Sequence, residues 1–257
     1  MQAPEPENSF SKSYSLTLLQ AISDWQREGT AKQKISKGQR LLELSSELPP
    51  YFRTEDRICY RQIALKKGNI WRLADQLMLG ETISSWAVDL AVAKEFKGGV
   101  AARESEFKAF IFAYKPIPGS VVINLDKLLR DDAFLKACAD NKENISWYST
   151  GLGQYQNTQQ EVVINLSQLP IDSVFAIGGH GSTKEILLTQ FMTALGLTRE
   201  PTETDRIEFD KLLISTKAKL GPGWVAGPAK YRVLEKLLID LEWLKPLHIP
   251  DSISSGK

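Results

Sequence analysis

The amino-acid sequence predicts an α+β fold, with a mixed middle region between helices at both ends. Apolar residues recur at helical spacing near the N-terminus, where Leu18, Ile22 and Trp25 share one face. The same spacing returns in the last part of the chain. Between these ends the pattern changes to short β-prone runs separated by helices. This order favours an α+β domain over a regular series of βαβ units.

The composition is that of an ordinary folded protein. Over 257 residues, 42% of the side chains are apolar and 25% are charged, which is enough for one large core or two small ones. A formal charge of +1 gives no bulk attraction to nucleic acid or to an anionic membrane. No run approaches the ~20 apolar residues of a membrane helix, and MQAPEPENSFSK lacks the order of a secretory signal. We expect a cytoplasmic chain, in the producing cell or in a target cell, or one exported by a signal-free route.

The cysteines and histidines predict neither a disulfide framework nor a metal site. The chain has two of each, at Cys59, Cys138, His180 and His248, and the histidines lie far apart with no Cys or acidic ligand cluster beside them. We therefore expect no structural metal.

Residues 1–50 are predicted to form a mobile tail followed by a helical pair. The tail, residues 1–12, has little apolar character. The first helix carries the face described above, and the second ends at Pro49-Pro50.

Five runs in the middle region are predicted strands. They cover residues 57–65, 106–116, 120–125, 161–166 and 173–179. A helix is predicted over 69–80, ending on a left-handed Gly80. A short helix is predicted after the capping residue Asp89, with Ala93 and Phe96 on its buried face.

Two Gly-containing segments are predicted to be loops. GGHGSTKE at 178–185 lacks the ending of a phosphate-binding P-loop, and Ser182 with Glu185 is predicted to form a capping box for the next helix. LGPGWVAGP at 220–228 is predicted to be a rigid loop. A leucine stripe that begins at Leu234 predicts the last helix.

Three short motifs follow one another in the middle region and carry the functional hypothesis. They are the pair Tyr60-Arg61 in the first strand; SSWAVDLAVAKEF at 84–96; and NTQQEVVINL at 157–166, where an acid opens a strand. Each motif alone is commonplace, whereas the ordered set is much more specific.

This order resembles the arginine-serine-glutamate class of mono-ADP-ribosyltransferases, the cholera-toxin-like and C3-like group. In that family an aromatic-arginine pair lies in the first strand, a Ser-x-Ser piece ends another strand before a helix, and Gln-x-Glu or Glu-x-Glu opens a late strand. The resemblance covers residues 51–190. It implies two small packed mixed β-sheets around an NAD cleft, with a catalytic core at 51–190 and a C-terminal helical extension at 191–257.

The resemblance implies that NAD is the substrate and that no metal takes part. Breaking the bond between nicotinamide and ribose develops positive charge on the ribose, as in glycoside hydrolysis. A carboxylate near the ribose is attracted more strongly to that transition state than to the ground state, and Glu161 takes this role. Ser85 positions Glu161 or the ribose, and Gln159 presents an amide to the acceptor.

The remaining implied roles concern the cofactor-like substrate NAD. Arg61 is suited to the pyrophosphate because its planar fork gives two charge-assisted hydrogen bonds. The backbone of Gln62 holds the nicotinamide amide. Further candidate contacts to NAD are Tyr60, Trp86, Phe96 and Arg103, of which Trp86 either packs beside the site or lies on NAD.

The sequence departs from the family pattern at Ala87, which stands where the second serine is expected. Only Ser85 is therefore assigned a role. Each candidate also has a plainer alternative: a surface ion pair for Arg61, a turn or cap for Ser85, and a solvated charge at a strand start for Glu161.

We therefore expect an NAD-dependent mono-ADP-ribosyltransferase, of bacterial or phage origin, that moves ADP-ribose to a protein side chain or a nucleic-acid base and releases nicotinamide. Gln-x-Glu accompanies Asn, Gln or nucleobase acceptors in the family, while the near-zero charge favours a protein. The alternatives are an NAD glycohydrolase and a catalytically inactive NAD-fold interaction module. A protein partner, such as an inhibitor or antitoxin, is expected on the helical extensions, and no membrane partner is expected.

Overall fold

The computed structural model describes residues 14–73, 76–154, 160–216 and 220–242. It confirms the α+β class, because helices precede and follow a set of antiparallel strands. None of the helices in these ranges is both long and apolar enough to cross a membrane.

The helices of the described ranges are numbered in chain order. They are α1 (Leu16–Gln26), α2 (Ala31–Ser45), α3 (Leu90–Glu95), α4 (Leu125–Leu128), α5 (Asp132–Asp140), α6 (Lys184–Ala194), α7 (Glu203–Thr216) and α8 (Pro228–Glu242). Helices α1 and α2 form the predicted helical pair. Each begins on a side-chain cap, Ser15 for α1 and Thr30 for α2, which satisfies a backbone N–H in the first turn.

The strands of the same ranges include the five predicted ones. They are β1 (Cys59–Lys66), β2 (Gln76–Met78), β3 (Ile83–Ala87), β4 (Phe107–Tyr114), β5 (Val121–Asn124), β6 (Glu161–Asn165), β7 (Gln168–Pro170), β8 (Val174–His180) and β9 (Pro222–Ala226). The five predicted runs correspond to β1, β4, β5, β6 and β8.

Two predicted segments have a different secondary structure. The helix over 69–80 is wrong: a 3₁₀ helix covers Lys67–Leu73, β2 follows, and Gly80 has no left-handed φ. The loop at 220–228 is also wrong, since it contains β9 and the start of α8. In both cases the strand is stabilised by a distant partner, β7 for β2 and β8 for β9, and such pairing overrides local propensity.

Two side-chain predictions also need correction. The cap of α6 is Thr183, which accepts a hydrogen bond from the Ile186 N–H, so the predicted capping box of Ser182 with Glu185 is wrong. Phe96 lies beyond the end of α3 and is 53% exposed, whereas Ala93 is buried as predicted. Asp89 does cap the start of α3, where its Oδ1 accepts a hydrogen bond from the Ala91 N–H at 2.7 Å.

The chain divides into two compact units. The first comprises Met1–Arg61, Gln76–Ala93 and Ala113–Leu169, and the second comprises Gln62–Asp75, Lys94–Phe112 and Pro170–Lys257. The helical pair thus falls in the same unit as β3, β5 and β6.

In the first unit, β3 lies between β6 and β1, and β5 borders β6. The register sets Ala87 of β3 opposite both Tyr60 of β1 and Glu161 of β6. Helix α2 approaches β3 closely: a Cβ on Gly38 would lie 3.0 Å from the Ile83 Cβ, a tighter contact than most Cβ atoms make. The core beneath contains fully buried side chains such as Leu19, Ile22, Leu41, Ile123 and Phe134; each contributes about 1.5–3 kcal/mol by burial.

In the second unit, β8 pairs with both β4 and β9 in antiparallel register. A small separate core forms where α6 and α7 pack through Leu188, Met192 and Phe209. Helix α8 is attached to β8 because Lys230 Nζ donates a hydrogen bond to the Val174 carbonyl.

Candidate active site

Ser85 and Glu161, two of the residues predicted for catalysis, are hydrogen-bonded to each other. Glu161 opens β6 opposite Ala87, so Ser85 lies diagonally across the strand pair and on the same face. The Ser85 hydroxyl donates a hydrogen bond to Glu161 Oε1. The long sequence separation of the pair is bridged only by the β3–β6 pairing, which fixes both side chains on rigid backbone.

The last turn of α1 brings two more polar side chains to the same carboxylate. The indole Nε1 of Trp25 donates a hydrogen bond to Glu161 Oε1 at 2.9 Å. The side-chain amide of Gln26 lies close enough to stabilise the carboxylate, although neither of its amide atoms meets full hydrogen-bond geometry with any described residue. The helical pair therefore contributes to the site, a role that the sequence motifs do not indicate.

Glu161 is only 7% exposed, so the alternative of a solvated charge at a strand start is wrong. Burial raises the pKa of its carboxyl above the ordinary value, while the hydrogen bonds from Ser85 and Trp25, together with the nearby Gln26 amide, act in the opposite direction. A carboxylate in this place is thus costly to ionise and is stabilised, once ionised, by donors from β3 and α1.

Arg61 lies in β1 and is paired with a different carboxylate. Its Nη2 is 3.7 Å from Glu81 Oε2, and Lys34 Nζ of α2 is 4.0 Å from Glu81 Oε1. The side chain is 21% exposed, and burial lowers the pKa of its guanidinium. Its Nη1 is buried and has no hydrogen-bond partner within the described part of the chain. Among those residues, no hydrogen bond or ion pair joins Arg61 to Ser85 or Glu161.

Of the two roles expected for Trp86, the structure shows packing inside the protein. It is buried, its indole N–H donates a hydrogen bond to Ser84 Oγ at 3.1 Å, and its ring centroid lies 5.8 Å from that of Tyr114. Tyr60, opposite Ala87, is half-buried. Gln159 lies outside the described residues.

The other predicted NAD contacts lie in the second unit. Gln62 Nε2 donates a hydrogen bond to the Gly99 carbonyl at 2.8 Å, and its Oε1 is buried without a partner among the described residues. Arg103 Nη2 donates a hydrogen bond to the Gly181 carbonyl at 3.0 Å. Phe96 is exposed, with Lys97 Nζ over its ring at 5.6 Å.

A polar cavity of about 330 Å³ lies at the end of α1, in the first unit. It is lined by Gln26, Arg27, Glu28, Thr150 and Gln154. The sequence pattern does not predict this cavity. The spacing Gly151-Leu152-Gly153 was the one local signal of a tight turn at this place.

No group of three His, Cys, Asp or Glu side chains that could hold a metal ion occurs in the ranges that the structure describes. Cys59 and Cys138 are buried, and burial raises the pKa of each thiol to about 12. Thiols with so high a pKa are poor nucleophiles at neutral pH.

Fold and site together define an α+β protein with a buried carboxylate held by a serine and a tryptophan. In comparisons with known proteins, neither a family model nor a curated protein nor a solved structure matches this chain.

Proposed function

We propose that the chain is an NAD-dependent mono-ADP-ribosyltransferase of the arginine-serine-glutamate class. The observation that carries the proposal is the hydrogen bond from the Ser85 hydroxyl to the Glu161 carboxylate across neighbouring strands. These two residues come from separate motifs, and the order of the motifs alone predicted that they share one site. The proposal includes an NAD cleft between two small mixed β-sheets.

In the proposed reaction, the bond between the nicotinamide nitrogen and the ribose breaks, and its electron pair leaves with nicotinamide. A nucleophilic atom of the acceptor then forms the new bond to the ribose and gives up a proton. Glu161 stabilises the positive ribose between these events. Because Glu161 is buried, its field is weakly screened, and the donors Ser85 and Trp25 hold one carboxylate oxygen in place.

Arg61 is proposed to bind the pyrophosphate of NAD. Its buried Nη1 has no partner among the described residues, and its contact with Glu81 is a loose 3.7 Å. A guanidinium in this state gains charge-assisted hydrogen bonds when an anion replaces Glu81.

The test is release of nicotinamide from NAD by the purified chain, with and without cell extract. Glu161→Gln should reduce release by about 10²-fold or more, because it removes the preorganised charge. Ser85→Ala should reduce it about tenfold to a hundredfold, the value of a hydrogen bond to a charged group. The matched control is Ser84→Ala, since the neighbouring serine accepts from Trp86 and does not contact Glu161. Equal release by the Ser84 and Ser85 variants would contradict the assignment.

The same assay with labelled NAD separates the alternatives. Label that survives nucleases indicates a protein acceptor, and label that nucleases remove indicates a base. Release without labelling indicates an NAD glycohydrolase. No release with any extract indicates the inactive interaction module, which one observation favours: Ala87, directly opposite Glu161, offers no hydroxyl to that site.

A further inference from the structure

A carboxylate lies between two cations beside the start of β3. Glu81 Oε2 is 3.7 Å from Nη2 of Arg61 in β1, and Glu81 Oε1 is 4.0 Å from Nζ of Lys34 in α2. Each cation thus faces a different oxygen of one carboxylate, and all three residues belong to the first unit. This spacing suits an anionic group that presents two oxygens side by side, as a phosphate also does.

The contacts of Glu81 with both cations are weak. Neither distance is short enough for a hydrogen bond. The side chain of Glu81 is 24% exposed and that of Lys34 is 42% exposed, so solvent screens the attraction between them. Ion pairs of this length and exposure contribute little to stability. An anion that binds both cations more closely can therefore displace the carboxylate at small cost.

The fold holds Lys34 and the backbone of Glu81 in place. Lys34 precedes Gly38 by four residues and shares the face of α2 that packs on Ile83 of β3. On one side of Glu81, the Leu79 N–H donates a hydrogen bond to a carbonyl at 2.8 Å. On the other side, the Thr82 carbonyl accepts one at 2.7 Å. Displacement of the carboxylate therefore requires rotation of a side chain and no movement of the main chain.

The three side chains carry an excess of positive charge, because one carboxylate serves two cations. Burial also lowers the pKa of the Arg61 guanidinium, which shows that its charge is incompletely compensated. A diphosphate is negatively charged on both of its phosphate groups and would match two cations. Arginine and lysine are both ordinary phosphate ligands.

We propose that Lys34 and Arg61 together form a binding site for a diphosphate group, and that Glu81 occupies this site until the diphosphate displaces it. The helical pair thus supplies a ligand of its own to the site. Lys37 of the same helix is not available for this role, since its Nζ donates hydrogen bonds to the carbonyls of Arg27 and Glu28. That the diphosphate belongs to NAD rests on the proposed function, whereas binding of the anion itself does not.

The experiment measures binding of inorganic pyrophosphate to the full chain by calorimetry, in the absence of NAD. Glu81→Gln should tighten binding about threefold to tenfold, because it removes the competing carboxylate. A variant that failed to fold would not gain affinity, so this result cannot come from misfolding. The matched control is Glu47→Gln, which makes the same change in net charge at an exposed position beyond α2 and should bind like the unmodified chain.

The two cations are tested in the same titration. Lys34→Gln should weaken binding about threefold to tenfold, and Arg61→Gln about tenfold or more, because each removes a charge-assisted hydrogen bond to the anion. The matched control is Lys32→Gln, since Lys32 is exposed and lies two residues from Lys34, on a different face of α2.

ADP-ribose in place of pyrophosphate identifies the source of the diphosphate. If ADP-ribose binds more tightly and still depends on Lys34, the diphosphate belongs to a nucleotide. If it binds no more tightly than pyrophosphate, the ligand is the free anion. Either result supports the site.

Three results overturn the site. They are no pyrophosphate binding by either the unmodified chain or Glu81→Gln; no gain in affinity for Glu81→Gln over Glu47→Gln; and equal binding by the Lys34 and Lys32 variants. Pyrophosphate binding without nicotinamide release would contradict the transferase proposal and leave this site in place. Nicotinamide release with the same KM for NAD in the Lys34 and Lys32 variants would contradict this site and leave the transferase proposal in place.

Discussion

Replacing Trp25 by Phe should make Glu161 harder to ionise. The change removes the indole N–H that lies 2.9 Å from Glu161 Oε1 and keeps most of the ring volume. That hydrogen bond favours the ionised carboxylate, whereas burial favours the protonated form. Without the indole donor, one of the hydrogen bonds that lower the pKa of Glu161 is lost, so burial should raise this pKa further.

The magnitude follows from the type of bond that is lost. A hydrogen bond to a charged group contributes about 1.5–3 kcal/mol. At any pH below the pKa of Glu161, the ionised share should therefore fall about tenfold to a hundredfold. If the ionised form does the chemistry, nicotinamide release should fall by the same factor at acidic pH and should recover at high pH.

Two measurements check this expectation. The pH profile of nicotinamide release should move to higher pH in Trp25→Phe. The carbon resonance of the Glu161 carboxyl, assigned with Glu161→Gln, should titrate at higher pH whether or not the chain turns over NAD. The matched control is Trp86→Phe, which removes another indole N–H from the same unit, one that is bonded to Ser84. If both variants titrate alike, the proposed link between α1 and Glu161 is refuted.

Three further changes test other parts of the site. Burial raises the pKa of Glu161 above its ordinary value of 4.5, so between these two pKa values the native state binds more protons than the unfolded chain. The free energy of unfolding should therefore fall as the pH rises through this range. Urea titrations should show a smaller fall for Glu161→Gln. Gly151→Ala should destabilise the chain by about 1–3 kcal/mol, since its Cβ would lie 2.3 Å from Ser23 Oγ, whereas Gly68→Ala, with nothing within 4 Å, should change urea midpoints little. Arg61→Gln should raise the KM for NAD about tenfold or more with a smaller effect on kcat; an unchanged KM would exclude pyrophosphate binding there.

The sequence pattern predicted the helices and strands whose formation depends mainly on residues close together in the chain. Helical periodicity identified α1 and α2, an aromatic-rich run identified β4, and β-branched runs identified β5 and β6. Strands β2 and β9 were missed because each depends on pairing with a strand that is distant in sequence. The motif order predicted that Ser85 and Glu161 share a site. Periodicity assigned Trp25 only to a packing face, and no local pattern indicated that its indole N–H reaches a carboxylate on β6.

The helical pair is best understood as part of the site rather than as an addition to it. Helix α2 lies against β3 at Gly38, where an added Cβ would come within 3.0 Å of the Ile83 Cβ, so the helical pair packs closely on the strands. In this position the indole N–H of Trp25 in α1 reaches the Glu161 carboxylate. Helix α2 brings Lys34 to 4.0 Å from Glu81, the carboxylate that faces Arg61. The same two helices thus influence the charge state of the proposed catalytic carboxylate and the availability of the proposed phosphate ligand. A partner that moves this pair would change both, without touching either motif.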